Sequence, residues 1–246
     1  MKVREIYNYL DSVAPFNTAA EWDNTGLSVG SLDSDVKKVL VSLDVTNSVI
    51  EKAIEIGADL VLTHHPLIFS PVSSVEKGSL LYNAVVSGLT FISSDTCLDK
   101  AVDGVNDTLA DKVGIKNLRA SEIDEFLKIG EIEPCSVKAF AEKIKASLGG
   151  AVAYTDNGRV IKTVALCSGS GGDLVSVAAL EGADALLTGE AKHHEYLLAN
   201  ELGVSIFSAG HYETENIICE KLKQMLKSKF DELEVEIYEK TPVKYL

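Results

Sequence analysis

Five histidines occur in the chain, and they fall in three places: His64-His65, His193-His194 and His211. Each place follows an apolar, strand-like run. Carboxylates recur beyond such runs too, at Asp95 and Asp99 and at Glu215, four residues after His211. Imidazole is the commonest protein ligand for transition metals, and Asp or Glu completes the usual shell. Asp95/Asp99 and His211/Glu215 are both spaced i, i+4, which on a helix puts the two side chains on one face. Three imidazoles with two or three carboxylates exceed one tetrahedral shell and suit two divalent ions bridged by a carboxylate and a water. A nitrogen and oxygen donor set without thiolate fits Zn, Fe, Mn, Co or Ni and does not choose among them.

Each candidate carries its own geometry. Neighbours inside a strand point to opposite faces, so His64 and His65 can share a site only if the chain bends there. Pro66 restricts His65 to an extended or turn conformation and allows that bend. His193 and His194 are candidates for general acid/base work or for orienting a ligand; the competing reading is the polar start of a surface helix. Asp95 is either a carboxylate aimed at the metals or the cap of the helix carrying Asp99, a position that favours Asp. Glu190 is placed to accept a hydrogen bond from a ligating group. The turn Ser168-Gly-Ser-Gly-Gly-Asp173 offers amides for an anion or simply packs a helix tightly on a sheet; it matches neither the Walker pattern nor Gly-x-Gly-x-x-Gly. Cys97, without a coordinating partner, reads as packing, and Trp22 as core or as a domain or subunit contact.

The elements that position these residues come as a weak internal repeat. Val39–Leu43 reads as a strand, followed by a polar turn (Asp44, Thr46, Asn47), a helical pattern through Val49, Ile50, Ala53 and Ile54, then Gly57-Ala58-Asp59 and the strand Leu60–Thr63. Val164–Cys167, a helix through Leu174, Val175, Val177 and Ala178, Gly182-Ala183-Asp184 and the strand Ala185–Thr188 repeat that order. The spacing from Gly57 to Gly182 equals that from Thr63 to Thr188. A further strand closes each half, at Leu89–Ser93 and Val204–Ser208. Strands alternating with helices predict an α/β fold of two related β-α-β halves, with mixed, largely parallel sheets flanked by helices. Residues 1–120 form the first half, with His64, His65 and Asp99; residues 121–246 form the second, with His193, His194, His211 and Glu215. All the candidate residues then lie at strand C-terminal ends, where open α/β sheets bind ligands, and the metal site is expected in the cleft between the halves. Val137–Leu148 alternates apolar and charged residues at helical spacing and predicts an amphipathic helix.

Composition excludes several classes. The formal net charge of -14 at pH 7 disfavours a nucleic-acid backbone, and the lysines at 221, 223, 227 and 229 are interleaved with acids. The N-terminal residues lack the apolar stretch of a signal peptide, and no run approaches membrane-spanning length. Four dispersed cysteines without Cys-x-x-Cys point to reduced thiols and a cytoplasmic protein.

Several blocks carry a resemblance. Thr63-His-His-Pro-Leu-Ile-Phe69, Thr96-Cys-Leu-Asp99, Thr188-Gly-Glu-Ala-Lys-His-His194 and Ala209-Gly-His-Tyr-Glu-Thr-Glu215 resemble the signature blocks of the Nif-three-like family. Its members are often called GTP cyclohydrolase type 2 homologues. Trp22-Asp-Asn-Thr-Gly-Leu27 resembles the family's N-terminal block and Val164–Gly171 its central strand and turn. The resemblance implies a dinuclear metal centre held by His64, His65, Asp99, His211 and Glu215, and a toroidal homohexamer with its sites facing an internal cavity. The family usually has His where this chain has Asp95. Residues 115–162 are too few for the regulatory domain that some members insert between the halves. Two functional classes follow. One is a metal-dependent hydrolase acting on a small, nucleotide-like substrate; the other is a non-enzymatic metal-binding or interaction protein, consistent with a family named for contact with a transcriptional coregulator.

Overall fold

The computed structural model describes residues 1–244. The first stretch contains α1 (Val3–Val13), β1 (Gly26–Val29), β2 (Lys38–Ser42), α2 (Asn47–Glu55), β3 (Leu60–Thr63), α3 (Leu80–Val86), β4 (Thr90–Ser93) and α4 (Thr96–Lys100). Next come α5 (Val105–Val113), β5 (Lys116–Ala120), β6 (Lys128–Ser136), α6 (Val137–Leu148), β7 (Ala153–Tyr154) and β8 (Val160–Cys167). The chain continues through α7 (Val175–Leu180), β9 (Ala185–Thr188), α8 (His193–Leu202), β10 (Ser205–Ser208) and α9 (His211–Glu215). It closes with α10 (Ile217–Lys229) and β11 (Glu234–Tyr238).

Two compact units result. One is Met1–Val102 with Ile218–Lys240; the other is Asp103–Ile217, joined by the chain from Thr241. These units divide the chain earlier than residue 120, and they return α10 and β11 to the first unit. The cause is pairing: β11 lies parallel to β2, with Val235 opposite Val39 and Ile237 opposite Val41.

The first unit is built on a five-stranded sheet in the order β1-β4-β3-β2-β11. Only β1 runs antiparallel. Every residue of β3 and β4 is buried, as expected for parallel strands covered on both faces. Leu40, Val61 and Phe91 pack against Val49, Ile50 and Ala53 of α2 and Ala84 of α3.

A six-stranded sheet, β5-β6-β8-β9-β10-β7, organises the second unit. Its centre, β8-β9-β10, is parallel, while β5, β6 and β7 pair antiparallel. Strand alternation sorts its core. Val164, Leu166, Ala185, Leu187 and Phe207 face α5 and α6, whereas Ala165, Leu186 and Ile206 face α7 and α8. Helix α6 spans Val137–Leu148, the bounds its periodicity predicts.

The repeated Gly-Ala-Asp has a physical reading. Gly57 and Gly182 end their helices at φ +66° and +75°, the left-handed region that glycine enters without a steric penalty. Ala58 and Ala183 are buried. The Asp59 carboxylate accepts hydrogen bonds from the Lys37 and Lys38 amides at 2.8 and 3.0 Å. Asp184 accepts from Lys162 and Thr163 at 2.9 and 2.8 Å. Each aspartate thus pins the strand that precedes its own helix, and sets where the next strand begins beside it.

Removing either carboxylate orphans two backbone donors at a parallel strand. Asp59→Ala and Asp184→Ala should therefore each lower stability by about 2 kcal/mol, the range for hydrogen bonds to a charged group. Asp→Asn, which keeps an acceptor, should cost less than half of that. Urea unfolding of the four variants checks the order; equal midpoints for Ala and Asn would refute the assignment.

Candidate metal centre

Register decides where the ligand side chains emerge. Thr63 of β3 pairs with Ser42 of β2 and Ser93 of β4, so the chain leaves three neighbouring strands at one level. His64 and His65 follow the first of these, Asp44 the second, and Ser94-Asp95 the third. The His64 and His65 amides still donate to Ser42 and Leu43, but the strand has ended. Thr63 Oγ1 donates to the His65 carbonyl at 2.7 Å and fixes the bend. The two rings consequently come together, with centroids 4.9 Å apart, instead of pointing to opposite faces.

His64 is fully buried. Its Nδ1–H donates to the Ser94 carbonyl at 2.8 Å, and because a carbonyl only accepts, this fixes the neutral tautomer with the lone pair on Nε2. That Nε2 stands 3.3 Å from Asp99 Oδ1 and 3.7 Å from Asp95 Oδ1. The donor atoms of His64, Asp95 and Asp99 all lie within 4.8 Å of one another. His65 Nδ1 is held by the Asp44 carboxylate at 2.7 Å, which again puts the lone pair of the neutral ring on Nε2. Burial pushes the Asp95 carboxyl up to about 7, aided by the charges of Asp99 and Asp23 and opposed by His64 and His65.

In the second unit β9 and β10 end side by side at Thr188 and Ser208. Glu190 follows one strand and His211 the other. His211 Nδ1 meets Glu190 Oε2 at 3.1 Å, and its Nε2 lies 2.9 Å from Oε2 of Glu215, a carboxylate that is buried. The i, i+4 spacing on α9 gives the expected shared face. Hydrogen bonding to Glu215 holds the His211 proton up to about 9, with Glu190 adding to it and burial opposing.

The glycine turn closes over this pair. Gly169, at φ +59°, lies so near Glu215 that a Cβ there would collide with its carboxylate. Three of the turn's amides are engaged within the unit: Ser168 donates to Asn106 Oδ1, Gly169 to Thr214 Oγ1 and Gly171 to Thr188 Oγ1. Through Gly169 and Thr214 the turn is latched to α9, as a tight packing turn would be.

Five of the expected residues are thus gathered in two sets, His64, His65 and Asp99 in one unit and His211 and Glu215 in the other. Asp95 joins the first set. His193 and His194 begin α8 with both side chains exposed; His194 Nε2 stands 3.8 Å from Glu195 Oε1. Neither is brought to these sets within its unit. Glu190 contacts the His211 ring as expected. Asp44 was legible only as a turn residue, and Asp23, which holds the start of α4, only as part of a packing segment. The set of His64, Asp95 and Asp99 could hold a metal ion. Asp99 Oδ1 is buried and makes no hydrogen bond among the described residues, which is what a ligand oxygen requires.

The comparisons with known proteins assign the chain to a family. The chain belongs to the Duf34/NIF3 (NGG1p interacting factor 3) family, whose profile matches residues 1–242. A Clostridium perfringens protein named GTP cyclohydrolase 1 type 2 homolog is 33% identical over 244 residues, covering 94% of this chain and 93% of that one. Among solved structures, the Staphylococcus aureus hypothetical protein SA1388 superposes with a TM-score of 0.92 at 28% identity, covering 100% of this chain and 99% of its own. Reduced HcgD from Methanocaldococcus jannaschii superposes at 0.86 with 32% identity, covering 96% and 97%.

The His211–Glu215 pair gives a direct test in metal-free protein. The ring of His211 should titrate near pH 9, and Glu215→Gln should bring its midpoint down toward the ordinary histidine range of about 6.5. Since the folded-state value is raised, the pair stabilises the metal-free fold fully below about pH 6.5, and that contribution is lost as pH rises through 9. Nitrogen-resolved NMR of the ring reads the midpoint; an unchanged titration in Glu215→Gln would refute the pairing.

Proposed function

We propose that the protein is a dinuclear metal-dependent hydrolase acting on a small, nucleotide-like substrate. The observation that carries this reading is that donor atoms of His64, Asp95 and Asp99 lie within 4.8 Å of one another, with His64 Nδ1 directed at the Ser94 carbonyl so that Nε2 faces the two carboxylates. In the proposal His64, His65, Asp99, His211 and Glu215 are the ligands. A pair of divalent ions (Zn, Fe, Mn, Co or Ni) supplies a water activated at neutral pH and a Lewis acid for the electrophile. The chain's residues do the rest. Ser94, Asp44 and Glu190 orient the imidazoles, and Gly169 leaves room for the Glu215 carboxylate. The substrate class rests on the name carried by the Clostridium relative.

The proposal includes a homohexamer in the cytoplasm. Exposed apolar side chains, Trp22 in the first unit and Leu197, Leu198 and Leu202 along α8, offer surface for subunit contacts. Among the described residues no helix is long and apolar enough to cross a membrane. Free thiols at Cys97 and Cys135 are consistent with a reducing compartment.

Elemental analysis of purified protein should give two divalent ions per chain. His64→Ala and His211→Ala should each lose metal while their circular dichroism stays that of the parent, because each sheet has its own core. Full occupancy in both variants would refute the ligand assignment. A panel of nucleotide, phosphoester and amide substrates then separates hydrolysis, abolished by chelation and restored by metal, from a storage or sensing role in which metal binds and nothing is turned over. Light scattering at micromolar concentration should return six times the chain mass; a monomer mass would remove the hexamer from the proposal.

A further inference from the structure

The start of α4 is built in an unusual way. Asp95 occupies the cap position, yet its side chain makes no capping hydrogen bond, and its backbone sits at φ -99°, ψ -110°. The cap is supplied from elsewhere in the chain. Asp23 Oδ2 accepts from the Thr96 amide at 3.1 Å, from Thr96 Oγ1 at 2.6 Å and from Thr25 Oγ1 at 2.9 Å. Thr25 Oγ1 in turn accepts the Asp95 amide at 3.1 Å. The segment Asp23-Asn-Thr25 therefore satisfies the donors that an N-terminal aspartate would ordinarily satisfy itself.

This exchange leaves the Asp95 carboxylate available for something else, and it is turned into the interior, 5% exposed. Its Oδ1 lies 3.7 Å from His64 Nε2, while Asp99 Oδ1 lies 3.3 Å from the same atom. Ligand atoms about 2.0–2.2 Å from one tetrahedral ion stand roughly 3.3–3.6 Å from each other. The Asp99 separation falls in that range and the Asp95 separation lies just beyond it, close enough for a shared ion to draw in both carboxylates. A hydrogen-bonded role for Asp95 is not what the geometry shows, since 3.7 Å is beyond hydrogen-bond reach.

We propose that Asp95 is a direct ligand of the ion held by His64 and Asp99, and that Asp23 is the positioning residue that makes this possible by capping α4 in its place. This rests on the metal reading above and extends it: one ion gains a second carboxylate, and the conformation of a five-residue helix is set by a loop some seventy positions earlier. A hard, oxygen-rich shell of this kind shifts preference toward Mn, Fe or Zn and away from softer ions.

The test uses full-length protein stripped with chelator and titrated with Co²⁺ alone. Affinity is read by chelator competition, shell geometry by the visible ligand-field spectrum, and metal-free stability by thermal melting. Asp95→Ala and Asp95→Asn should lower Co²⁺ affinity at one of the two sites by roughly a hundredfold or more and change its spectrum, with metal-free melting close to the parent. Asp23→Ala should weaken the same site by roughly tenfold to a hundredfold, the usual cost of losing a residue that orients a ligand. Asp23→Asn keeps an acceptor for the Thr96 amide and should restore most of that affinity, a rescue that general destabilisation would not give. Parent-like affinity and spectrum in both Asp95 variants would overturn this inference and leave the metal reading standing. A parent protein that takes up no Co²⁺ would overturn both.

Discussion

A neutral imidazole has one lone pair to offer, and the nitrogen that carries it is decided by what the other nitrogen touches. In this chain that decision is made by strand register. Ser94 can take the His64 Nδ1 proton because β3 and β4 end opposite each other, at Thr63 and Ser93. Asp44 reaches His65 because β2 ends one strand over, at Ser42. Glu190 reaches His211 because β9 and β10 end together at Thr188 and Ser208. A one-residue slip in any of these pairs would turn side chains to the other face and separate ring from acceptor. The apolar strands that hold the register are in this sense part of the site, and the Asp59 and Asp184 clamps belong to it too.

Much of this was legible in the sequence, for identifiable reasons. The parallel core strands are short apolar runs bounded by Gly-Ala-Asp and polar turns, and their C-terminal ends fell where the histidines begin. The ligands stood out because histidine is scarce in the chain. The membership of β11 was not legible: Glu234–Tyr238 alternates charged and apolar residues, which fixes a strand and says nothing of which sheet it joins. The antiparallel additions β5, β6 and β7 were hidden for the same reason. Asp44 and Asp23 were hidden by their commonness, since aspartate in a turn ordinarily satisfies its own backbone. For Asp95 the cap and the inward carboxylate were equally consistent with the spacing, and only the hydrogen bonds of Asp23 separate them.

The helices that carry the candidate ligands are among the shortest in the fold. Five residues make α4 and five make α9, too few to nucleate unaided, so each takes its geometry from outside. Asp23 and Thr25 serve α4. For α9 the partner is the glycine turn, latched through Thr214 Oγ1, which also donates back to the Gly210 carbonyl. Short helices held by external hydrogen bonds place an i, i+4 pair without the length a self-supporting helix would need, and every such bond is one more point at which a substitution far from the ligands can loosen them.

The two units also share an electrostatic imbalance. In the first, Asp23, Asp95 and Asp99 crowd one another, and the crowding with burial shows as a carboxyl held near neutral pH. In the second, Glu190 and Glu215 flank one imidazole, and the excess acid shows as a proton held to about pH 9. Each is the same response: carboxylates gathered at one point, Asp95 and Glu215 among them buried, favour a nearby positive charge or a retained proton. A divalent ion at His64 and Asp99, or at His211 and Glu215, would displace that demand and release the proton to solvent. In the proposed centre, metal uptake at neutral pH would be coupled to proton release at His211 and, to a lesser degree, at Asp95, so that metal would be held less firmly as pH falls.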